Sequence, residues 1–529
     1  MHQHKRHALK AINTLIPVHL FFFVLAFSAI ILVHAWHIGS MPRDLYVDET
    51  SIGYNAALIA QTAHDEHGEF LPVYFRAFGE YKNPLYIYAT AVLFFLFGVS
   101  DTILRLTSTF FFALFLGGLC MLIRRLTTRK EVLWYALISG GFLPWFFTLS
   151  RISFEVISQI TCVIFALFFI HRTFHPLRGE KSRILYPLLA GFCIALSLYS
   201  YSTGRLLSFL LFTSVAVLYF RRSTLRQSLA LSGAFFFSMI PYFTYAFAHP
   251  GALSNRFRSL SFVYDAELSL IAKISKFAGQ YLTYFDPRFL LLSGDSNLRH
   301  ATGYGGELFV AVSVLAIIGL LAWPRMKKIP PTFAVLLLVN LLFSPIGGAL
   351  TKNAHHSLRS ILLGFYILLF SCIGFAILVE LRRSLPRIAL LSLVCLTLSG
   401  ESGLYVYDYF TRYPQKTQAA FEVYGARAAL ASALSQVNDP IFSNRLNHTL
   451  PGFYLSAFRG KTKRIVTQTI SRDTAQPGTC IVYRRDDQKE LEAVDLPVFE
   501  ISIPDSAIRT RCYPTLSANG ALHASIISE

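Results

Sequence analysis

Apolar positions in this chain come in long runs, separated by short polar stretches that hold most of the arginine and lysine. The runs cover residues 17–36, 103–123, 132–150, 153–170, 184–201, 205–220, 228–248, 306–323, 331–347, 358–379 and 388–406. Each is close to the ~20 residues that a helix needs to cross a hydrocarbon layer. Backbone in lipid must satisfy its own N–H and C=O groups, so the pattern predicts eleven transmembrane helices. A further run, Tyr86 to Val99, is too short for a confident crossing. Between the runs lie three large polar segments, 38–102, 249–305 and 408–529. The last has a helix-like stretch at 415–436 and strand-like stretches at Cys480–Tyr483 and Val498–Ile503. It reads as a small α/β domain, residues 408–529, following a membrane domain at 1–407.

Composition agrees with the pattern. Of 529 residues, 54% are hydrophobic and only 15% charged, against about 25% charged in soluble domains. That much apolar surface also excludes a disordered chain. The net charge of +18 does not point to nucleic acid, because the basic residues are not gathered on one face. They sit between apolar runs: Arg124, Arg125, Arg129 and Lys130; Arg172, Arg178, Lys181 and Arg183; Arg221, Arg222 and Arg226; Arg325, Lys327 and Lys328; Arg382, Arg383 and Arg387. Such clusters mark cytoplasmic loops. The basic N-terminus before the first run reads as cytoplasmic, with the run a retained signal anchor. Every cluster then lies in the cytoplasm only if Tyr86–Val99 does not cross. That run is therefore expected to lie along the outer surface, which leaves the C-terminus outside.

Five of the seven cysteines fall in apolar runs, where a free thiol behaves as a small hydrophobe. Cys480 and Cys512 lie in the outer tail; a disulfide in an oxidising compartment and two free thiols are equal alternatives there. No spacing typical of a zinc site is present.

The first polar segment is acidic for so basic a protein: Asp44, Asp48, Glu49, Asp65, Glu66, Glu69 and Glu80 all fall within it. Carboxylates at a membrane surface are functional candidates when they face a cavity. Asp48 and Glu49 also open a helical pattern, where acidic residues act as helix-terminal charges. A cap also fixes a carboxylate, so the two roles are compatible. Lys82 precedes Pro84, which suits a first helical turn, and so stands where an anionic headgroup is readily held or where a lysine snorkels. Asp65 and Glu66 are candidates for acceptor or metal, or form a solvated helix end. Glu155 is a candidate to position substrate or ligate a metal, or it pairs with Arg151 one turn back. His300, His355 and His356 are candidates for substrate, phosphate or metal, or exposed loop histidines. Arg205 opens an apolar run, where snorkelling is the plain alternative. The charge argument places Asp48, Lys82, Glu155, Arg205, Arg299, His300, His355 and Arg359 on the outer side together.

A carboxylate pair directly after the first span, then an amphipathic helix, then a Lys-x-Pro or Glu-Lys-Pro-like element, resembles the GT-C superfamily of membrane glycosyltransferases. Its nearest types are the protein O-mannosyltransferases and the bacterial aminoarabinose transferase of lipid A. The stretches Ser150–Glu155, Gly294–His300 and His355–Ser360 are similar to a family-39-like bacterial subgroup. The resemblance covers about residues 40–410. It implies a polyprenyl-phosphate-linked sugar as donor, a hydroxyl on lipid, polysaccharide or protein as acceptor, and reaction on the outer face of a bacterial inner membrane. Asp48 would then be the general base, with Glu49 assisting or holding the helix turn. Lys82 would hold the leaving phosphate, followed by Arg359, Arg299 and Arg205. The chain has Glu80-Tyr81-Lys82-Asn83-Pro84 where the best-known members have Asp-Glu-Lys-Pro, so a divalent metal is not carried over by the motif. The rival reading is a transporter or flippase for a lipid-linked sugar, which would carry broken helices and mid-membrane polar groups.

Overall fold

The computed structural model describes residues 2–176, 184–326, 329–353, 355–381, 385–417, 420–421, 426–459, 467–471, 474–476, 479–484, 487–488, 491, 498–501 and 508–513. Among the described residues, seven helices are long and apolar enough to cross a membrane: Val18–Ala35, Asp101–Leu126, Val156–Phe174, Leu225–Ala248, Pro331–Ala349, Ile361–Glu380 and Leu385–Thr411. Three more of the expected runs are shorter apolar helices, Leu185–Leu198, Gly204–Tyr219 and Val310–Arg325. The chain is a multi-pass membrane protein. The run at 132–150 is helical but split, into Lys130–Phe142 and Pro144–Leu149. Proline has no N–H to give and its ring clashes with the preceding turn. Pro241 accompanies a similar break between Leu225–Ser238 and Ile240–Ala248, and Pro345 one between Pro331–Phe343 and Ile346–Ala349. Three of the predicted spans are thus interrupted. Of the basic loop residues, Arg178, Lys181, Arg183, Lys327, Lys328, Arg382 and Arg383 lie outside the described residues.

The chain forms two compact units. The first comprises residues 1–37, 108–151 and 155–409. Of the seven spans, Ile361–Glu380 is the most covered, 94% buried, whereas Val18–Ala35 is only 11% buried and shows Leu20, Phe21 and Phe22 to the surroundings. Ile361–Glu380 packs against Val310–Ala322 at backbone contact. A Cβ on Gly374 would lie 1.9 Å from the Leu315 carbonyl oxygen, and one on Gly319 2.0 Å from that of Phe370. Small residues allow such crossings where lipid supplies no hydrophobic drive between helices. Arg151 ends the first helix by donating to the carbonyls of Val33 and Trp36 at 2.9 and 2.7 Å. Glu401 accepts from the first amides of Val310–Ala322, Val310 N at 2.8 Å and Ala311 N at 3.4 Å.

The second unit comprises residues 38–107, 152–154 and 410–529. Helix Val47–Thr62 packs on helix Pro84–Phe97 and on helix Thr449–Arg459 from the tail. The last contact is reciprocal. A Cβ on Gly53 would meet the Phe453 ring at 2.6 Å, and one on Gly452 would meet the Tyr54 ring at 2.6 Å. Strands β1 (Phe75–Ala77) and β2 (Glu80–Lys82) form a hairpin before Pro84. The tail has a mixed four-stranded sheet of β3 (Ile441–Phe442), β4 (Thr479–Arg484), β5 (Phe499–Ile501) and β6 (Ile508–Tyr513), in the order β3-β4-β6-β5. β3 runs parallel to β4; the other pairs are antiparallel. Helix Ala426–Gln436 covers β4 and β6. Cys480 and Cys512 face each other across β4 and β6 and form a disulfide.

Candidate functional site

Within the second unit, helix Val47–Thr62 presents two adjacent carboxylates with different surroundings. Glu49 is wholly buried. Its Oε2 accepts from the Tyr46 amide at 2.9 Å, the bond expected of a residue holding a first helical turn. The same side chain takes Arg105 in a fork, Nε to Oε1 at 2.9 Å and Nη2 to Oε2 at 3.0 Å, and the Ser153 amide at 3.0 Å. Arg105 also donates to the carbonyls of Pro42 and Asp44. A guanidinium fork matched to a carboxylate is the strong form of such a pair. Both oxygens of Glu49 are thus engaged.

Asp48 is different. Its side chain is 30% exposed and its Oδ1 accepts from Lys82 Nζ at 2.8 Å. Lys82, at the end of β2, is 7% exposed, lies 3.7 Å from Glu80 and sits 5.5 Å over the Phe78 ring. The hairpin and Pro84 at the start of the following helix place the ammonium at that helix's N-terminal end. A buried lysine needs a counter-charge, and Asp48 supplies it across a separation of 34 residues.

Asp65 and Glu66 serve their own unit. Asp65 Oδ1 closes a turn by accepting from the amides of His67 and Glu69, at 2.9 and 2.8 Å. Glu66 accepts from Asn55 Nδ2 at 2.9 Å and pairs with His448 Nε2 at 2.5 Å.

Within the first unit, a second group forms around Asp295. Gly294, at φ +64°, turns the chain after the helical turn Arg288–Ser293. Asp295 Oδ2 lies 2.8 Å from His300 Nδ1 and accepts from the Ser357 amide at 2.8 Å; Oδ1 accepts from the Asn297 amide at 2.9 Å. The His300 and His356 rings are 4.7 Å apart. Glu307 backs the group, accepting from the Asp295 amide at 3.0 Å and the Ser357 hydroxyl at 2.5 Å. Burial opposes the Asp295 charge, but His300 and the two amides outweigh it and hold the carboxyl below its usual range. Burial lowers His300 despite Asp295. It lowers His356 further, helped by the charges of His300 and Arg359.

The other candidates in this unit are placed singly. His355 stacks on Phe289 at 4.7 Å, with its Nε2 3.1 Å from the Thr283 carbonyl. Arg359 donates to Thr351 Oγ1 at 2.9 Å, and Arg205 to the Leu253 carbonyl at 2.6 Å. Glu155 precedes helix Val156–Phe174. The structure therefore brings Asp48 to Lys82 and His300 to His356. Arg105, Asp295 and Glu307 were not among the sequence candidates. A charged residue inside or at the mouth of an apolar run was the signal available for Arg105 and Glu307; Asp295 lies within the polar segment 249–305.

No model of a known protein family matches the chain, and no curated protein matches it in sequence. Among solved structures it is similar to ArnT from Cupriavidus metallidurans. Against the apo state the TM-score is 0.60 at 12% identity, over 93% of this chain and 98% of ArnT. Against ArnT bound to undecaprenyl phosphate it is 0.56 at 12% identity, over 92% and 98%. A weaker likeness is to the Archaeoglobus fulgidus oligosaccharyltransferase AglB in complex with an inhibitory peptide and a dolichol-phosphate, TM-score 0.48 at 12% identity, over 89% and 70%. The chain has the GT-C fold.

Proposed function

We propose that this chain is a glycosyltransferase that moves a sugar from a polyprenyl-phosphate carrier to a hydroxyl acceptor on the outer face of a bacterial inner membrane. The observation that carries the reading is the Asp48–Lys82 pair, a partly exposed carboxylate 2.8 Å from a buried ammonium, within a GT-C fold. ArnT, of the same fold, is known with undecaprenyl phosphate bound.

The acceptor hydroxyl attacks the anomeric carbon while Asp48 takes its proton. The bond from that carbon to the phosphate oxygen breaks, and the carrier phosphate leaves with the electron pair. The transition state is oxocarbenium-like, as in other glycosyl transfers. Lys82 answers the charge gathering on the phosphate. Arriving phosphate competes with Asp48 for the ammonium, and this frees the carboxylate as a base when the donor is in place. Glu49 and Arg105 position the turn that carries Asp48. Arg359, Arg299 and Arg205 are further candidates for the phosphate. The N-terminus is cytoplasmic and the C-terminus periplasmic in this reading. Residues 1–407 form the membrane domain, and 408–529 the outer one.

The helix breaks at Leu143, Met239 and Ser344 favour a second reading, a flippase for a lipid-linked sugar, because carriers are built with interrupted helices. One experiment separates the two. The gene is deleted and restored as wild type or Asp48→Asn at equal membrane level, and surface lipids, polysaccharides and glycopeptides are compared by mass spectrometry. A hexose- or pentose-sized mass lost on deletion, returned by wild type and not by Asp48→Asn, is the expected result. Full restoration by Asp48→Asn sinks the catalytic assignment. Lipid-linked sugar accumulating on the cytoplasmic side establishes the flippase.

A further inference from the structure

Asp295, His300 and His356 take no part in the reaction proposed above, yet they form a built cluster. We propose that these three side chains bind one divalent transition metal of the zinc class. One ligand atom from each lies within 4.8 Å of the others. Zinc bonds of ~2.0–2.2 Å set donors closer together than this limit, so a bound ion would draw the wider-spaced of these atoms inward.

The chemistry of the donors favours a metal over a purely structural network. Two imidazoles and one carboxylate suit zinc and its neighbours, whereas calcium and magnesium seek oxygen-only cages. His356 Nδ1 is buried and has no hydrogen-bond partner among the described residues. An unmatched polar atom in such a place carries a desolvation cost. A metal bond removes that cost. Asp295 and His300 already touch through a proton, at 2.8 Å, and a cation at that position replaces it. The carboxylate is fixed from behind by the amides of Asn297 and Ser357. Glu307, on the Ser357 hydroxyl and the Asp295 amide, fixes the loop that carries it. Outer partners of this kind orient metal ligands and raise affinity. The ligands come from residues 295–300 and from 356, two segments that the metal ties together. Three protein ligands leave a fourth position open, the arrangement of reactive zinc sites. The charges of Arg299 and Arg359 act on both imidazoles, so an anion is the favoured occupant of that position.

The test uses the full-length, tag-free protein in lipid nanodiscs. It is stripped with a chelator, washed and titrated with zinc alone. His2, His4 and His7 give the N-terminus imidazoles of its own, so the reading is a difference between variants. Wild type is expected to hold one zinc more than His356→Ala or His300→Gln, with at least ~10²-fold weaker binding at the cluster in either variant. His355→Gln, whose ring stacks on Phe289 outside the cluster, keeps the full amount. Equal zinc in wild type and His356→Ala overturns the proposal. X-ray absorption on zinc-loaded wild type needs no variant and guards against misfolding. A shell with two imidazoles and a carboxylate oxygen supports the site; an all-oxygen or single-imidazole shell refutes it. None of these readings depends on sugar transfer, so the metal site and the transferase stand or fall separately.

Discussion

Asp48 and Glu49 are neighbours with opposite duties, and the difference can be measured. Glu49 and Arg105 are both fully buried and matched in a fork. Removing one partner leaves an uncompensated buried charge, which costs roughly 3–5 kcal/mol. Arg105→Ala and Glu49→Gln are therefore expected to lower the melting temperature sharply in detergent, or to abolish membrane accumulation. Asp48→Asn keeps an oxygen for Lys82 at a partly solvated position, and Glu80 remains 3.7 Å from the ammonium, so its melting temperature should fall less than in Glu49→Gln while transfer is lost. Equal thermal loss in Asp48→Asn and Glu49→Gln contradicts this division. The acidic pair and Lys82 were legible because all three lie in one polar segment, 38–102. Arg105 was not, since it reads as part of a membrane run and only folding shows its partner 56 residues away. Glu307 was hidden in the same way at the start of another run.

At the level of elements, hydropathy located the spans and missed their interruptions. Pro144, Pro241 and Pro345 were the available signs, since a proline removes a helix bond whatever its neighbours' polarity. Packing between elements was beyond reach, because a single sequence records no long-range pairs. The seating of Thr449–Arg459 on Val47–Thr62 shows this, with Gly53 under Phe453 and Gly452 under Tyr54. Gly53→Ala drives a methyl into the Phe453 ring, and overpacking of this kind costs about 1–3 kcal/mol. Phe453→Ala opens a cavity at a similar or larger cost. Combining the two should destabilise by clearly less than the sum, because the added methyl enters the vacated space. Thermal melting of the two single variants and the double variant, read as a double-mutant cycle, checks it. Strict additivity would mean that the two residues do not share a contact. At Gly374 the obstacle is the Leu315 carbonyl rather than a movable ring, so no second-site side-chain truncation is expected to rescue Gly374→Val.

For the whole molecule, orientation hangs on the helix Pro84–Phe97. At ~1.5 Å per residue its fourteen residues reach about 21 Å, short of the ~30 Å hydrocarbon core. One side, including Tyr86, Ile87, Ala91 and Phe94, is buried in its own unit; Val92, Phe95, Leu96 and Phe97 are exposed and apolar. Such a helix suits the membrane boundary, with its free face in the lipid and its ends on one side. Counting it as a span would reverse every later loop, carrying Arg124, Arg125, Arg129 and Lys130 to the outside against the positive-inside rule. Alkaline phosphatase, which folds only outside the cytoplasm, reports the difference when fused after chosen residues. Fusions at Gly68, at Glu267 and at the C-terminus are expected to be active, and one at Arg129 inactive. A crossing helix would leave Gly68 active, switch Arg129 on and silence Glu267 and the C-terminus. That second pattern would place His300, His355, His356 and Arg359 opposite Asp48 and Lys82. It would strike Arg359 and Arg299 from the candidates for the phosphate and leave Lys82, on the same side as Asp48, to answer its charge.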